Sequence, residues 1–278
     1  SDTGGILDCA IRIFCGDGTK KYLHQLVSSQ LDMDRLDYLR RDSFFTGVSE
    51  GVIGTDRIIK MLEIQDEQLV IEHKGIYSIE KFLIARRLMY WQVYLHKTVL
   101  SAEKLLETVL MRAKDLSKAG ARLPAPESFS FFLHKQGPVT DDMLDAFSML
   151  DDSDIMSAVK DWTHYPDKIL SHLSTNLMNR NLFKIVMSKE RINDGFYERL
   201  LHLTSKHFDI SENEARYFVF RGTISNMAYN KEEDRIYILK SGKLVDIATA
   251  SDMLDVTVLS YEVIKYYICY PKEIHASL

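Results

Sequence analysis

Over the first third of the chain, apolar residues recur three or four positions apart. That pattern predicts helices over 6–14, 20–29 and 32–45. Asp32 is placed to cap the third of these and Gly47 to end it. The spacing then changes: 61–65 and 68–73 alternate apolar and polar, as the strands of a small hairpin do. Between Ser78 and Lys118 there is neither Pro nor Gly, and Leu, Ala, Glu, Lys and Arg dominate. This predicts one very long helix, or two joined at a kink. Unbroken, about 40 residues would reach roughly 60 Å, and the aromatic residues along it would need partners beyond their own domain.

Gly120, Pro124 and Pro126 mark the strongest boundary, dividing the chain into 1–119 and 120–278. Shorter helices are predicted beyond it, over 126–135, 140–149, 152–163 and 166–178. After Arg180 the composition shifts toward strands, over 182–187, 215–220, 235–239, 244–247 and 263–269, with a helix over 193–207 between them. Ser241-Gly242 reads as a hairpin turn. The predicted class is mainly α, with a smaller C-terminal α+β portion.

Composition narrows this picture only slightly. With 278 residues, 46% of them hydrophobic, the chain can bury one large core or two smaller ones. A net charge of −5 gives no broad positive surface for nucleic acid. Cys9, Cys15 and Cys269 fit no metal-binding spacing and read as reduced thiols of a cytoplasmic protein. No apolar run reaches the roughly 20 residues of a membrane span, and the first residues have no targeting character.

Candidate chemistry begins on the helix 32–45. At about 100° per residue, Asp34, Tyr38 and Asp42 fall on one face with Arg35 and Arg41 beside them, while Met33, Leu36 and Leu39 face away. On pattern alone the stripe is a solvated polar face with ordinary i,i+4 pairs; it permits a site without demanding one. In 78–118, Arg86, Tyr90, Tyr94 and Lys97 share a face in the same way.

The string Ser28-Ser29-Gln30-Leu31-Asp32-Met33-Asp34-Arg35-Leu36-Asp37-Tyr38-Leu39-Arg40-Arg41-Asp42-Ser43 closely resembles the last signature of HD-superfamily phosphohydrolases, a group that includes deoxynucleoside triphosphate triphosphohydrolases. The resemblance implies an HD-domain-like helical bundle, incomplete here, over 1–119, and an associated helical and α+β domain over 120–278. It makes Asp34 the final metal ligand and sets Arg35, Tyr38 and Asp42 around triphosphate and sugar. Ile84–Lys97 resembles the same enzymes, making Arg86 a phosphate ligand and Tyr94 a wall against the sugar. Asn179-Arg180-Asn181-Leu182-Phe183-Lys184 resembles their Arg-Asn-Leu-Phe-Lys element. In regulated members this element holds an effector nucleotide between subunits, which implies effector contacts at Arg180 and Lys184, with Lys74, His96 and Lys97. Arg57 and Lys74 lie on loosely matched loops.

The residue types suit that chemistry. Carboxylate and imidazole together hold a divalent ion that polarises phosphate and activates water, and guanidinium groups offset triphosphate charge. One part of the pattern is missing: none of the nine His residues is followed by Asp. The family's upstream His and His-Asp ligands are therefore not in this chain. The expectation is the downstream part of a longer, oligomeric, cytoplasmic enzyme that uses a divalent metal to hydrolyse deoxynucleoside triphosphates. The isolated chain is then expected to hold no metal and show no turnover. The rival readings are a nucleotide phosphomonoesterase or phosphodiesterase of the same superfamily, and a non-catalytic nucleotide-sensing or assembly module.

Overall fold

The computed structural model describes residues 5–18, 20–135, 137–253 and 255–277. The chain opens with α1 (Ile6–Cys15), α2 (Lys21–Val27) and α3 (Met33–Thr46). Asp32 caps α3, its carboxylate accepting from the Arg35 N–H at 2.8 Å, and Gly47 ends it at φ 71°, where a side chain would be strained. A short helix that the pattern did not reveal, α4 (Thr55–Lys60), precedes the hairpin of β1 (Leu62–Gln65) and β2 (Gln68–Glu72).

The stretch 78–118 is not one helix. α5 (Ile76–Met89) runs into a π-turn, Tyr90–Tyr94, closed by the Leu95 N–H donating to the Tyr90 carbonyl at 2.7 Å. α6 (Lys97–Lys118) then starts afresh and is about 33 Å long. The kinked alternative is the one found, and a case for partner subunits based on an exceptional helix length does not stand.

The middle of the chain forms α7 (Glu127–His134), α8 (Asp141–Ser148), α9 (Asp152–Trp162) and α10 (Lys168–Met178) close to their predicted positions. There follow β3 (Lys184–Ser188), α11 (Asp194–Phe208), α12 (Glu212–Ala215) and β4 (Phe220–Asn226). The strand predicted over 215–220 begins only at its last residue. Ser211 and Glu214 form a capping box that makes 212–215 helical, and this local signal outweighs the β character of Tyr217-Phe218-Val219. The chain closes with β5 (Tyr237–Lys240), β6 (Lys243–Asp246), α13 (Ile247–Ala250), α14 (Val256–Leu259) and β7 (Val263–Tyr270). The architecture is mainly α with a smaller C-terminal α+β part. Among the described residues no helix is long and apolar enough to cross a membrane.

Two compact units result, and they divide the chain at points other than 119/120: Ser1–His96 with Ser225–Ile264, and Lys97–Ile224 with Lys265–Leu278. In the first, β5 pairs parallel with β2, Ile71 opposite Ile238, and carries β6, giving the order β1-β2-β5-β6. Two buried glutamines fasten the returning segment. Gln30 donates to the Asn230 and Asp234 carbonyls and accepts from the Asn230 N–H, each at 2.6 Å. Gln25 accepts from the Leu69 N–H at 2.7 Å and donates to the Asp234 carboxylate at 3.0 Å. Leu36 and Leu39 of α3, Ile79, Phe82 and Leu83 of α5, and Tyr229, Ile238 and Val256 of the return share one core.

The second unit is built on the sheet β3-β7-β4, with Ile185 opposite Cys269. Tyr197, Leu200 and Leu201 of α11 pack with Val219, Ile268 and Tyr270.

Gly51 packs against both α3 and α5. A Cβ there would lie 2.7 Å from the Leu39 carbonyl oxygen and 2.9 Å from Met89 Sδ. Met89 can yield, but the backbone oxygen cannot. Gly51→Ala is expected to cost about 2 kcal/mol by overpacking, read as a lowered midpoint of chemical unfolding.

Candidate functional site

The polar face of α3 and the end of α5 meet within the first unit. Asp32, the cap, is buried and also receives the Arg35 guanidinium in an ion pair, so the backbone cap sets the direction of the Arg35 side chain. Four residues apart along the same face stand Asp34, Tyr38 and Asp42, with Leu36 and Leu39 buried behind them. From the π-turn, Tyr94 donates its hydroxyl to the Asp42 carboxylate at 2.8 Å. Its ring meets Tyr38 edge-on at 5.8 Å and Tyr90 at 5.2 Å. From α5, Arg86 donates to the Ala228 carbonyl of the returning segment at 3.2 Å.

Electrostatics match this crowding. Burial pushes the Tyr38 phenol up to about 12, with neighbouring Tyr90 adding to the shift and Arg86 and Arg35 opposing it. Burial, then the nearby Arg35 charge, lowers Arg86 from its ordinary value. Burial, then the Asp42 hydrogen bond, raises Tyr94. The phenols therefore stay neutral donors throughout the physiological range. The Nε atoms of both Arg35 and Arg86 are buried and have no hydrogen-bond partner among the described residues. Unsatisfied buried guanidinium nitrogens are costly, and an oxyanion seated between the two would relieve them.

Five predicted site residues, Arg35, Tyr38, Asp42, Arg86 and Tyr94, thus come together. Asp34 stands exposed in the first turn of α3 and makes no hydrogen bond or ion pair among the described residues. It fits a divalent ion only as one donor of a set, because such ions take several converging ligands. Among the described residues no three His, Cys, Asp or Glu side chains are so grouped.

The predicted effector residues are divided between the units, Lys74 and His96 in the first, Lys97, Arg180 and Lys184 in the second. Arg180 holds a left-handed backbone, φ 55°, unusual for a side chain of its size, just past α10.

Two contributors lie outside the predicted set. Tyr90 completes the aromatic group, and its place one turn from both Arg86 and Tyr94 was a readable signal. The Ala228 carbonyl had none, since a main-chain acceptor leaves no trace in residue type.

Comparisons with known proteins bear on the family of the chain. Residues 53–122 match the HD-associated region. The fold superposes on the crystal structure of a phosphohydrolase from Bacteroides thetaiotaomicron with a TM-score of 0.89 and 51% identity, covering 95% of this chain and 67% of that one. YwfO of Bacillus subtilis, an uncharacterised protein, is 31% identical over 264 residues, 91% of this chain and 58% of its own length. The chain therefore spans little more than half of that relative. A deoxynucleoside triphosphate triphosphohydrolase SAMHD1 homologue of Dictyostelium discoideum is 24% identical over 170 residues, 60% of this chain and 29% of that protein. With half its residues shared with a phosphohydrolase of which it covers two thirds, and an HD-associated region within it, the chain belongs to the HD-type phosphohydrolases.

Proposed function

We propose that the full-length protein is a metal-dependent hydrolase of deoxynucleoside triphosphates, releasing deoxynucleoside and triphosphate. In this reading the α3–α5 cluster receives the triphosphate and sugar. The observation that carries it is the pair of buried Nε atoms of Arg35 and Arg86, unpartnered among the described residues, beside the neutral hydroxyls of Tyr38 and Tyr94. Two guanidiniums offset triphosphate charge, Tyr38 donates to phosphate or sugar, and Tyr94, braced by Asp42, closes the sugar side where a 2′-hydroxyl would crowd it. Asp34 is assigned as one metal ligand, with the others supplied from outside this chain. The metal would polarise phosphate and activate water. The likeness to the Dictyostelium triphosphohydrolase supports the choice of substrate.

On the same resemblance we assign Arg180 and Lys184, with Lys74, His96 and Lys97, to an effector nucleotide held between subunits of a homo-oligomer. The exposure of Arg180 and Lys184 is compatible with that role.

The test is chromatographic product analysis of the full-length protein, supplied with magnesium or manganese, against deoxy- and ribonucleoside triphosphates. Deoxynucleoside and inorganic triphosphate are expected from the former, with poorer turnover of the latter. Tyr94→Ala should narrow that preference by raising ribonucleotide turnover. Orthophosphate or pyrophosphate as the first product would assign a different bond cleavage. Tight binding without turnover under all conditions would make the protein a nucleotide sensor.

A further inference from the structure

β4 lies at one edge of the sheet in the second unit. Alongside it runs a groove of about 410 Å³, lined by Arg191, Arg221, Thr223, Tyr266 and Tyr267 among others. That volume is in the range of small-molecule sites.

The groove is built rather than incidental. Strand alternation puts Arg221 and Thr223 on one face of β4, both exposed. Arg221 is fixed in place: its guanidinium pairs with Asp194 at 2.5 Å and lies over the Tyr197 ring, 4.4 Å from the centroid. A guanidinium has five N–H donors, so the single contact with Asp194 leaves several free. Gly222, between the two exposed residues, is required by the packing. A Cβ there would come within 2.6 Å of the Tyr267 hydroxyl, so only glycine lets that phenol close against the strand. Arg191 makes no hydrogen bond or ion pair among the described residues and stands free at the same groove. Two guanidiniums and three hydroxyl-bearing side chains thus line the groove with one carboxylate, Asp194, and that carboxylate is already paired.

We propose that this groove binds an oxyanion-bearing small molecule. Arg191 and Arg221 hold the anion, Thr223 donates beside them, and Tyr266 provides a flat surface for an organic portion. The site is independent of the α3–α5 cluster and shares no residue with it.

The experiment is isothermal titration of the full-length protein carrying Arg86→Gln, which weakens the other guanidinium site, with pyrophosphate and separately with malonate. These two probes distinguish a phosphate-type from a carboxylate-type ligand. Saturable binding of at least one is expected, weakened about tenfold when Arg191→Gln is added, since one charge-assisted contact is lost. Arg191 is exposed and unpaired, so its loss should leave the melting temperature unchanged and the result free of misfolding. Thr223→Val, checked for an unchanged circular dichroism spectrum, should weaken the same binding by removing the Thr223 hydroxyl donor. An absence of saturable binding by either probe, or an isotherm indifferent to Arg191→Gln, would overturn the proposal.

Discussion

Arg86→Gln in the full-length protein is expected to lower kcat/KM for a deoxynucleoside triphosphate by about 10²–10³-fold, the usual cost of deleting one preorganised donor to developing charge. The size follows from its surroundings. Arg86 is half-buried, its pKa is already depressed by burial and by Arg35, and its Nε has no partner among the described residues. A charge held in this way is worth more to an incoming anion than one facing water. Glutamine keeps the polar character but is shorter and uncharged, so the fold should survive with its core intact. Arg87 is the internal control: one position along, it is tied to the Val258 carbonyl at 2.9 Å. Arg87→Gln should change turnover by less than about twofold, as surface substitutions do when they leave the site alone. Equal losses at both positions would point to damage to α5, and no loss at Arg86 would remove it from the site.

The largest stability effect is expected in the second unit. Asp167 caps α10 through the Leu170 N–H at 2.8 Å and forms a two-pronged ion pair with Arg112 of α6, at 3.0 and 2.6 Å. Arg112 in turn lies over the Tyr217 ring, 5.0 Å from its centroid. Asp167→Ala removes a cap, worth about 1 kcal/mol, and leaves a largely buried guanidinium without its counter-charge. Together these should cost about 3 kcal/mol. Asp167→Asn retains the cap and should recover about a third of that loss. Burial alone would raise the Asp167 pKa, but the Arg112 hydrogen bonds and the Leu170 N–H outweigh it and hold the carboxyl below its ordinary value. The contribution is therefore full above the unfolded-state pKa, near 4, and is lost as pH falls through the lower folded value. Melting curves of wild type and Asp167→Ala should converge in strong acid; a constant gap across pH would exclude the ionic part.

The helices that were legible in the sequence are those whose signals are local. α3 combines apolar spacing with a capping Asp32 and a terminating Gly47, and the structure uses all three. The π-turn was invisible because Tyr-Trp-Gln-Val-Tyr contains no helix breaker, and its wider turn arises where Tyr90 and Tyr94 meet α3. Both strands of the β5–β6 hairpin could be read from alternation, but not their partner. Nothing local to Tyr237–Lys240 says that it pairs in parallel with β2. The site divides similarly. Periodicity put Tyr38 and Asp42 on one face, whereas only the family resemblance brought Arg86 and Tyr94 to it. The carbonyl that steadies Arg86 comes from a segment 142 residues further on.

That parallel pairing also has a timetable. A ribosome adding 5–20 residues per second needs roughly 10–30 s between completing Val70 and reaching its partner Tyr237. Throughout that interval one edge of β2 is without its strand, the condition under which stray pairing and aggregation begin. The unit that emerges first is thus finished late, and Arg86 acquires its carbonyl partner only when the returning segment arrives. Synthesis speed and chaperone supply would then bear on the yield of folded protein alongside the stability of the finished fold.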